Sequence, residues 1–126
     1  MSGKIVLDTN ALIYHFQGLA PWTDFIDGQR RADVSVSVIT RMELLALNGL
    51  AQDSERQIRA FLEKLNITPL SAAIENMAIL LRRKARLKLP DAIVAATAVV
   101  SKAVLITNDK DMAALDWPDL KVMKPA

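Results

Sequence analysis

Short runs rich in β-branched and other apolar residues alternate with helical stretches along this chain. The runs span residues 4–7, 33–37, 67–70, 104–107 and 120–123. Between them, apolar residues recur at helical spacing. Strands that alternate with helices form βαβ units, whose right-handed crossovers give a mostly parallel sheet covered on both faces. The sequence therefore predicts a protein of the α/β class.

Seven helical stretches accompany these runs. They are predicted at residues 9–16, 21–26 and 38–47, from a cap at Asp53 or Ser54, from Ser71, from Pro90 to about Ser101, and briefly after Asp109. Ser, Asp and Pro favour helix N-termini. No repeat, low-complexity tract or linker divides the chain, so we expect one domain over residues 1–126.

Composition excludes several functional classes. The apolar fraction of 52% is slightly above the globular norm of about 45–50%, which argues against disorder. No apolar run approaches the roughly 18 residues of a membrane span, and the N-terminus lacks the features of a signal peptide. The chain has no cysteine, which is compatible with a reducing cytosol. We therefore expect a cytoplasmic protein without a membrane partner.

Four acidic residues stand where such a fold gathers ligands. Asp8 follows the first predicted strand and Asp109 the fourth, so both are expected at the carboxyl edge of the sheet. Asp91 opens a predicted helix and Glu43 lies within one. Helix capping alone can also explain each aspartate. Pairing with a nearby arginine, or a partly exposed edge position, can explain the glutamate.

Glu43 is the most informative of the four. On a helix it shares a face with Ile39, Ala46 and Leu47, and a carboxylate on an apolar face must be neutralised, paired or bound to metal. Two carboxylates about 5 Å apart repel by roughly 3 kcal/mol at an effective dielectric near 20. Oxygen ligands select hard cations such as Mg²⁺ or Mn²⁺. The set therefore predicts one or two such ions and phosphodiester chemistry.

Other polar and aromatic residues are less specific. The run Arg82, Arg83, Lys84, Arg86 and Lys88 can contact phosphates electrostatically, or can be a solvated helix end. The single histidine, His15, argues against a zinc site; it has no obvious acidic partner and is interpreted as a surface or packing residue. Trp22 and Trp117 are interpreted as packing residues rather than base-stacking ones.

Taken in order, LDTNALIY, SVITRMELLA, LPDAIVAATAVV and LITND resemble the PIN-domain nucleases, specifically the VapC-type toxins of toxin–antitoxin pairs. The similarity runs over about residues 4–121. Each motif is weak alone, but their order and spacing are specific. The resemblance implies a three-layer α/β/α fold with a mostly parallel central sheet, usually in a homodimer.

The resemblance also implies an activity. It implies a Mg²⁺- or Mn²⁺-dependent endoribonuclease that hydrolyses tRNA or rRNA with metal-activated water and is silenced by a cognate antitoxin. Arg82, Arg83 and Arg86 are candidate contacts to the RNA or to the antitoxin. Asp8, Glu43, Asp91 and Asp109 match the family's acidic metal-binding residues, and Asn10 and Thr107 match its supporting polar residues. Asp111 is a candidate contact to the hydration shell of the metal, although a solvated helix-start residue is the simpler interpretation.

The departures from the family pattern are Lys102, where many relatives have glycine, and Met112, where an aromatic residue is common. Neither matches a proposed ligand. Two other functions stay open from the residues: a non-catalytic binding module on the same fold, and a small phosphatase of the haloacid-dehalogenase type. Asn10 disfavours the phosphatase, because that chemistry requires an aspartate there.

Overall fold

The computed structural model describes residues 3–126, which build a five-stranded parallel sheet. Its strands are β1 (Ile5–Leu7), β2 (Val34–Ser37), β3 (Asn66–Thr68), β4 (Val104–Ile106) and β5 (Lys121–Met123). Their order is β3-β2-β1-β4-β5, and each neighbouring pair is parallel. The predicted α/β class with a mostly parallel sheet is confirmed.

The helices among the described residues are α1 (Thr9–Phe16), α2 (Ala20–Asp27), α3 (Val38–Leu45), α4 (Gln52–Leu62), α5 (Ala72–Ala85), α6 (Leu89–Ser101) and α7 (Lys110–Ala113). A short 3-10 helix, Arg31–Asp33, precedes β2. The predicted cap of α4 at Asp53 or Ser54 is wrong. Its N-cap is Ala51, and Asp53 lies in the first turn, where a negative charge complements the helix dipole.

Alternate side chains of β1 enter two different cores. Ile5 and Leu7 pack with residues of α1, α2, α3 and α4, whereas Val6 packs with α5, α6 and Met112 of α7. This is the two-residue period expected of a strand covered on both faces. The resulting helix–sheet–helix arrangement confirms the predicted three layers.

Helix α6 is buried along most of its length. Residues 92–99 are all buried, and five of these eight are alanine or threonine, whose small side chains let the helix lie close to the sheet. Asp91 stands in its first turn and Lys102 follows its last residue. The helix therefore connects the two opposite edges of the sheet.

The strand order reverses beside β1. The chain moves outward from β1 through β2 to β3, and then returns to place β4 on the other side of β1. A crevice opens at such a reversal, beyond the carboxyl ends of the two central strands. Asp8 and Thr107 directly follow those two strands.

Both tryptophans serve packing, as predicted. Trp22 is buried among the residues of α1 and α2, and its ring centroid lies 5.0 Å from that of Tyr14. Trp117 packs against the core on the α6 side. Within residues 3–126, no helix combines the length and apolar character needed to cross a membrane.

Candidate active site

Asp8 occupies the centre of the carboxyl edge with both side-chain oxygens hydrogen-bonded. It is the N-cap of α1, and its Oδ1 accepts a 2.7 Å hydrogen bond from the backbone N–H of Ala11. Its Oδ2 accepts a hydrogen bond from the hydroxyl of Thr107. Asp8 is only 7% exposed, so these donors replace much of the water that a carboxylate loses on burial.

Thr107 connects two of the predicted acids. The residue is buried, and while its hydroxyl donates to Asp8 it accepts a 3.0 Å hydrogen bond from the backbone N–H of Asp109. Asp109 in turn caps α7, because its Oδ1 accepts from the backbone N–H groups of Asp111 and Met112. One hydroxyl thus fixes the turn after β4 against the start of α1.

Glu43 reaches the same edge through residues that the sequence analysis missed. Its Oε1 accepts a 2.6 Å hydrogen bond from the hydroxyl of Thr9. The hydroxyl of Thr40 lies 3.4 Å from that of Thr9 and is fully buried. Thr40 precedes Glu43 by three residues, so both share one side of α3. A threonine inside an acidic motif, and a second one a helical turn before the glutamate, are the signals that were available.

The apolar face predicted for Glu43 is wrong. Helix α3 ends at Leu45, so Ala46 and Leu47 lie beyond it, and both are exposed. The buried side of α3 carries Thr40 and Leu44, while Glu43 is half-buried at its border. The prediction failed because it extended the helix past its end. The carboxylate of Glu43 is oriented by the hydrogen bond from Thr9, and not by apolar surroundings.

Asp91 and Asp109 face a cleft of about 490 Å³ beside the carboxyl edge. Asp111 also lines it, and so do Arg86 and Lys88 from the loop between α5 and α6. Ala85, Leu87, Ala114 and Leu115 complete the lining. The cleft therefore presents carboxylates beside cations, an arrangement suited to a ligand that carries both a metal ion and phosphate groups.

The charges of the four acids act on one another. Burial raises the pKa of Asp8, and the nearby charges of Asp91 and Asp109 raise it further, against the lowering effect of the hydrogen bonds from Thr107 and Ala11. Burial also raises the pKa of Asp91, followed by the charges of Asp109 and Glu43, while Lys88 lowers it. Acids from two strand ends and two helices thus form one electrostatic cluster.

The four carboxylates are chemically suited to a hard divalent cation, because they offer only oxygen ligands and their negative charges repel one another. Within residues 3–126, however, no three of these side chains converge closely enough to enclose an ion. The oxygens of Asp8, Glu43 and Asp109 are oriented instead by hydrogen bonds from helix N-termini and from threonine hydroxyls. The structure thus brings the four residues to one edge without forming a closed ligand shell.

The remaining predicted residues differ in their surroundings. Asn10 is exposed in the first turn of α1, and Asp111 is exposed at the rim of the cleft. Arg86 lines the cleft, whereas the guanidinium of Arg82 donates a 2.9 Å hydrogen bond to the backbone carbonyl of Leu87. Arg83 is exposed on α5. Lys88, the last residue of the basic run, joins Arg86 in the cleft.

His15 does have an acidic partner, contrary to the prediction. Its Nε2 lies 2.8 Å from Oδ1 of Asp27 at the end of α2, and its ring stacks on Phe61 of α4 at a centroid distance of 4.6 Å. The partner is twelve residues away and is brought near only by the packing of α1 on α2. The predicted packing role is confirmed by a side chain that is only 12% exposed.

The family model of the PIN domain matches residues 5–118. Because the match spans most of the chain and all four acidic residues, this protein belongs to the PIN domain family. The resemblance predicted from the sequence is thereby confirmed at the level of the family.

Solved structures agree. A toxin–antitoxin complex from Klebsiella pneumoniae contains a chain that is 32% identical, with 98% of each chain covered and a TM-score of 0.83. Two further chains share the fold: VapBC2 from Rickettsia felis, bound to a promoter DNA fragment (20% identity, 95% and 97% covered, TM-score 0.78), and DNA-bound VapBC from Salmonella typhimurium (18%, 96% and 97%, 0.81). Among curated proteins, none matches the chain.

Proposed function

We propose that this protein is a divalent-metal-dependent endoribonuclease, the toxin of a toxin–antitoxin pair, with residues 1–126 as its single nuclease domain. The observation that carries the proposal is the electrostatic cluster of Asp8, Glu43, Asp91 and Asp109 at the strand-order reversal. Membership of the PIN domain family and the 32% identity to a chain of a toxin–antitoxin complex support it.

In this proposal, Asp8, Glu43, Asp91 and Asp109 hold one or two Mg²⁺ or Mn²⁺ ions. When bound, such ions supply an activated water and stabilise charge on the phosphate oxygens. Thr107 and Thr9 orient the carboxylates of Asp8 and Glu43 through their hydroxyls. Asn10 contributes a polar group at the start of α1, and Asp111 contacts water at the rim of the cleft.

The substrate is RNA, with tRNA or rRNA as the proposed target. Its phosphates enter the cleft beside Arg86 and Lys88, whose positive charges offset the repulsion between the acidic cluster and the backbone of the RNA. Arg82 and Arg83 extend this positive surface along α5. A cleft lined by both carboxylates and cations suits a phosphodiester, because the cations attract its phosphate while the carboxylates would hold a metal ion.

The proposed partners are a cognate antitoxin and a second copy of this chain, all in the cytoplasm. The structural similarity to a chain of a toxin–antitoxin complex supports an antitoxin as partner. Exposed apolar side chains on the outer layer, including Ile79, Leu80 and Val100, support self-association.

Cleavage of a panel of tRNAs and rRNA fragments by the antitoxin-free protein tests the proposal. The assay compares Mg²⁺, Mn²⁺ and EDTA, and wild type with Asp8→Asn, which keeps the shape of the N-cap but removes its charge. Metal-dependent cleavage at discrete positions, lost in the variant, is the expected result. Cation binding without cleavage of any RNA would favour the binding-module alternative.

A further inference from the structure

A second cleft, of about 540 Å³, opens at the edge of the sheet opposite the acidic cluster. Its floor consists of Val99, Ala103 and Val104. Its rim carries three lysines, Lys4, Lys102 and Lys121, and one acid, Asp119. The cleft lies at the amino ends of β1, β4 and β5, because Lys4 immediately precedes β1 and Lys121 begins β5 in register with Val104.

The positive charges of this cleft are not balanced by the protein. Three lysines and one aspartate leave two excess positive charges at its rim. All three lysines are exposed, and no ion pair joins any of them to an acid within residues 3–126. Lysines gathered around a concave surface with too few acids to balance them attract anions, phosphates above all.

Lys102 occupies a backbone position that favours glycine. It ends α6 with φ 55° and ψ 42°, in the left-handed region, and Asp119 has φ 66°. Of the three non-glycine residues with positive φ among the described residues, two line this cleft. A lysine there costs conformational free energy that glycine would not. The presence of lysine at this position therefore requires a reason that lies in its side chain, because its backbone conformation favours glycine.

Helix α6 sets the distance between the two edges. Asp91 in its first turn and Lys102 after its last residue are eleven residues apart, which corresponds to about 16 Å along a helix at roughly 1.5 Å per residue. A folded RNA is wide enough to contact both edges at once, whereas a mononucleotide is not. The two clefts therefore suit different parts of one polyanion.

We propose that Lys4, Lys102 and Lys121 bind the sugar–phosphate backbone of RNA away from the first cleft, which Asp91 and Asp109 line. The contact is electrostatic and independent of sequence, and it holds a structured RNA while another part of it enters the acidic edge. The proposal rests on the proposed ribonuclease function for the identity of the nucleic acid, but its test does not depend on cleavage.

Binding of bulk tRNA in EDTA, where the metal-dependent reaction is suppressed, tests the proposal across a series of salt concentrations. Replacing all three lysines, Lys4→Gln/Lys102→Gln/Lys121→Gln, is expected to reduce the magnitude of the negative slope of log K against log salt by about 2 to 3, since each lost phosphate contact removes roughly 0.7–0.9. The control, Arg30→Gln/Arg56→Gln/Lys64→Gln, removes the same number of positive charges from exposed positions outside the cleft. Two of these cations, Arg30 and Arg56, already pair with Asp33 and Asp53, and the control is expected to leave the slope unchanged.

Lys102 alone offers a second test that does not depend on the triple variant folding. Lys102→Gly is expected to raise the melting temperature, because it relieves the backbone conformation, and yet to weaken tRNA binding. Lys102→Arg should restore binding. Equal tRNA affinity in Lys102→Gly and wild type would overturn the proposal, and so would equal salt slopes for the two triple variants.

Two further outcomes separate this proposal from the proposed ribonuclease function. Normal RNA cleavage with unchanged slopes would overturn this proposal and leave the proposed function standing. Lysine-dependent binding without any cleavage would support this proposal while the proposed function failed.

Discussion

The hydroxyl of Thr9 donates a 2.6 Å hydrogen bond to Oε1 of Glu43, joining the first turn of α1 to α3. Asp8, the cap of α1, is the residue immediately before Thr9. A single dipeptide thus supplies one carboxylate of the acidic cluster and orients another. The position of Glu43 follows from the start of α1 as much as from its own helix.

We expect Thr9→Val to lower RNA cleavage by about 10–100-fold, the range typical of losing a group that orients a metal ligand. Valine keeps the shape of threonine but cannot donate to Glu43. The measurement is the single-turnover rate at saturating metal. Thr23→Val is the matched control, because it removes only an exposed hydrogen bond to the backbone carbonyl of Leu19. Equal rates for the two variants would contradict the orienting role.

Thr107→Val is expected to destabilise the protein by about 1.5–3 kcal/mol, the usual contribution of a hydrogen bond to a charged group. The variant leaves Oδ2 of the buried Asp8 without its donor. It should also raise the pKa of Asp8 further, since that hydrogen bond lowers it. Chemical denaturation measures the effect. Thr107→Ser should recover most of the stability; failure to do so would show that the lost methyl packing matters more than the hydroxyl.

The raised pKa values of Asp8 and Asp91 predict a specific pH dependence without divalent cations. Because folding raises both values above the ordinary 3.8, the folded protein binds protons more tightly than the unfolded chain does. The stabilising effect of these two protonated groups is fully present below pH 3.8 and is lost as the pH rises from there through the raised values.

The free energy of unfolding is measured for wild type and for Asp8→Asn/Asp91→Asn, both in EDTA to remove divalent cations. The difference between the two proteins cancels the contributions of the acids that they share. The free energy of unfolding of wild type, relative to the variant, should fall with rising pH across that window and then level off. A relative stability that rises with pH would mean that the two aspartates are stabilised as anions by the fold alone.

Two cations are expected to matter for RNA entry into the acidic cleft. Arg86→Gln/Lys88→Gln should reduce the magnitude of the salt slope of RNA binding by about 1 to 2 and slow cleavage at subsaturating RNA. Arg83→Gln/Lys84→Gln removes equal charge from the same basic run but outside the cleft lining. If the second pair had the larger effect, the RNA would follow α5 and not the cleft.

The alternation of strands and helices made the sheet predictable, because local periodicity determines where strands end and therefore where Asp8 and Asp109 lie. Contacts between elements distant in sequence were not predictable. The Thr9–Glu43 and His15–Asp27 pairs join residues 34 and 12 positions apart, and no local pattern encodes them. The end of α3 was missed because Ala46 and Leu47 continue its apolar spacing although the helix stops at Leu45.

The cleft lysines illustrate the same limit. Lys4, Lys102 and Lys121 are isolated in the sequence and form no charge run. Only the pairing of β1, β4 and β5 brings them to one edge. The basic run at residues 82–88 was visible from the sequence, but its division between the cleft and the outer surface of α5 depends on where α5 ends.

The acidic cluster is proposed to bind a divalent cation, and a Mn²⁺ titration followed by the electron paramagnetic resonance of the free ion measures that binding. We predict saturable binding of one or two ions per chain. Asp91→Asn should weaken binding by more than the roughly 10–100-fold that an outer contact contributes, whereas Asp111→Asn, at the exposed rim of the same cleft, should change it little. Absence of saturable binding, or equal affinity in wild type and Asp91→Asn, would show that the acidic cluster is not a cation site.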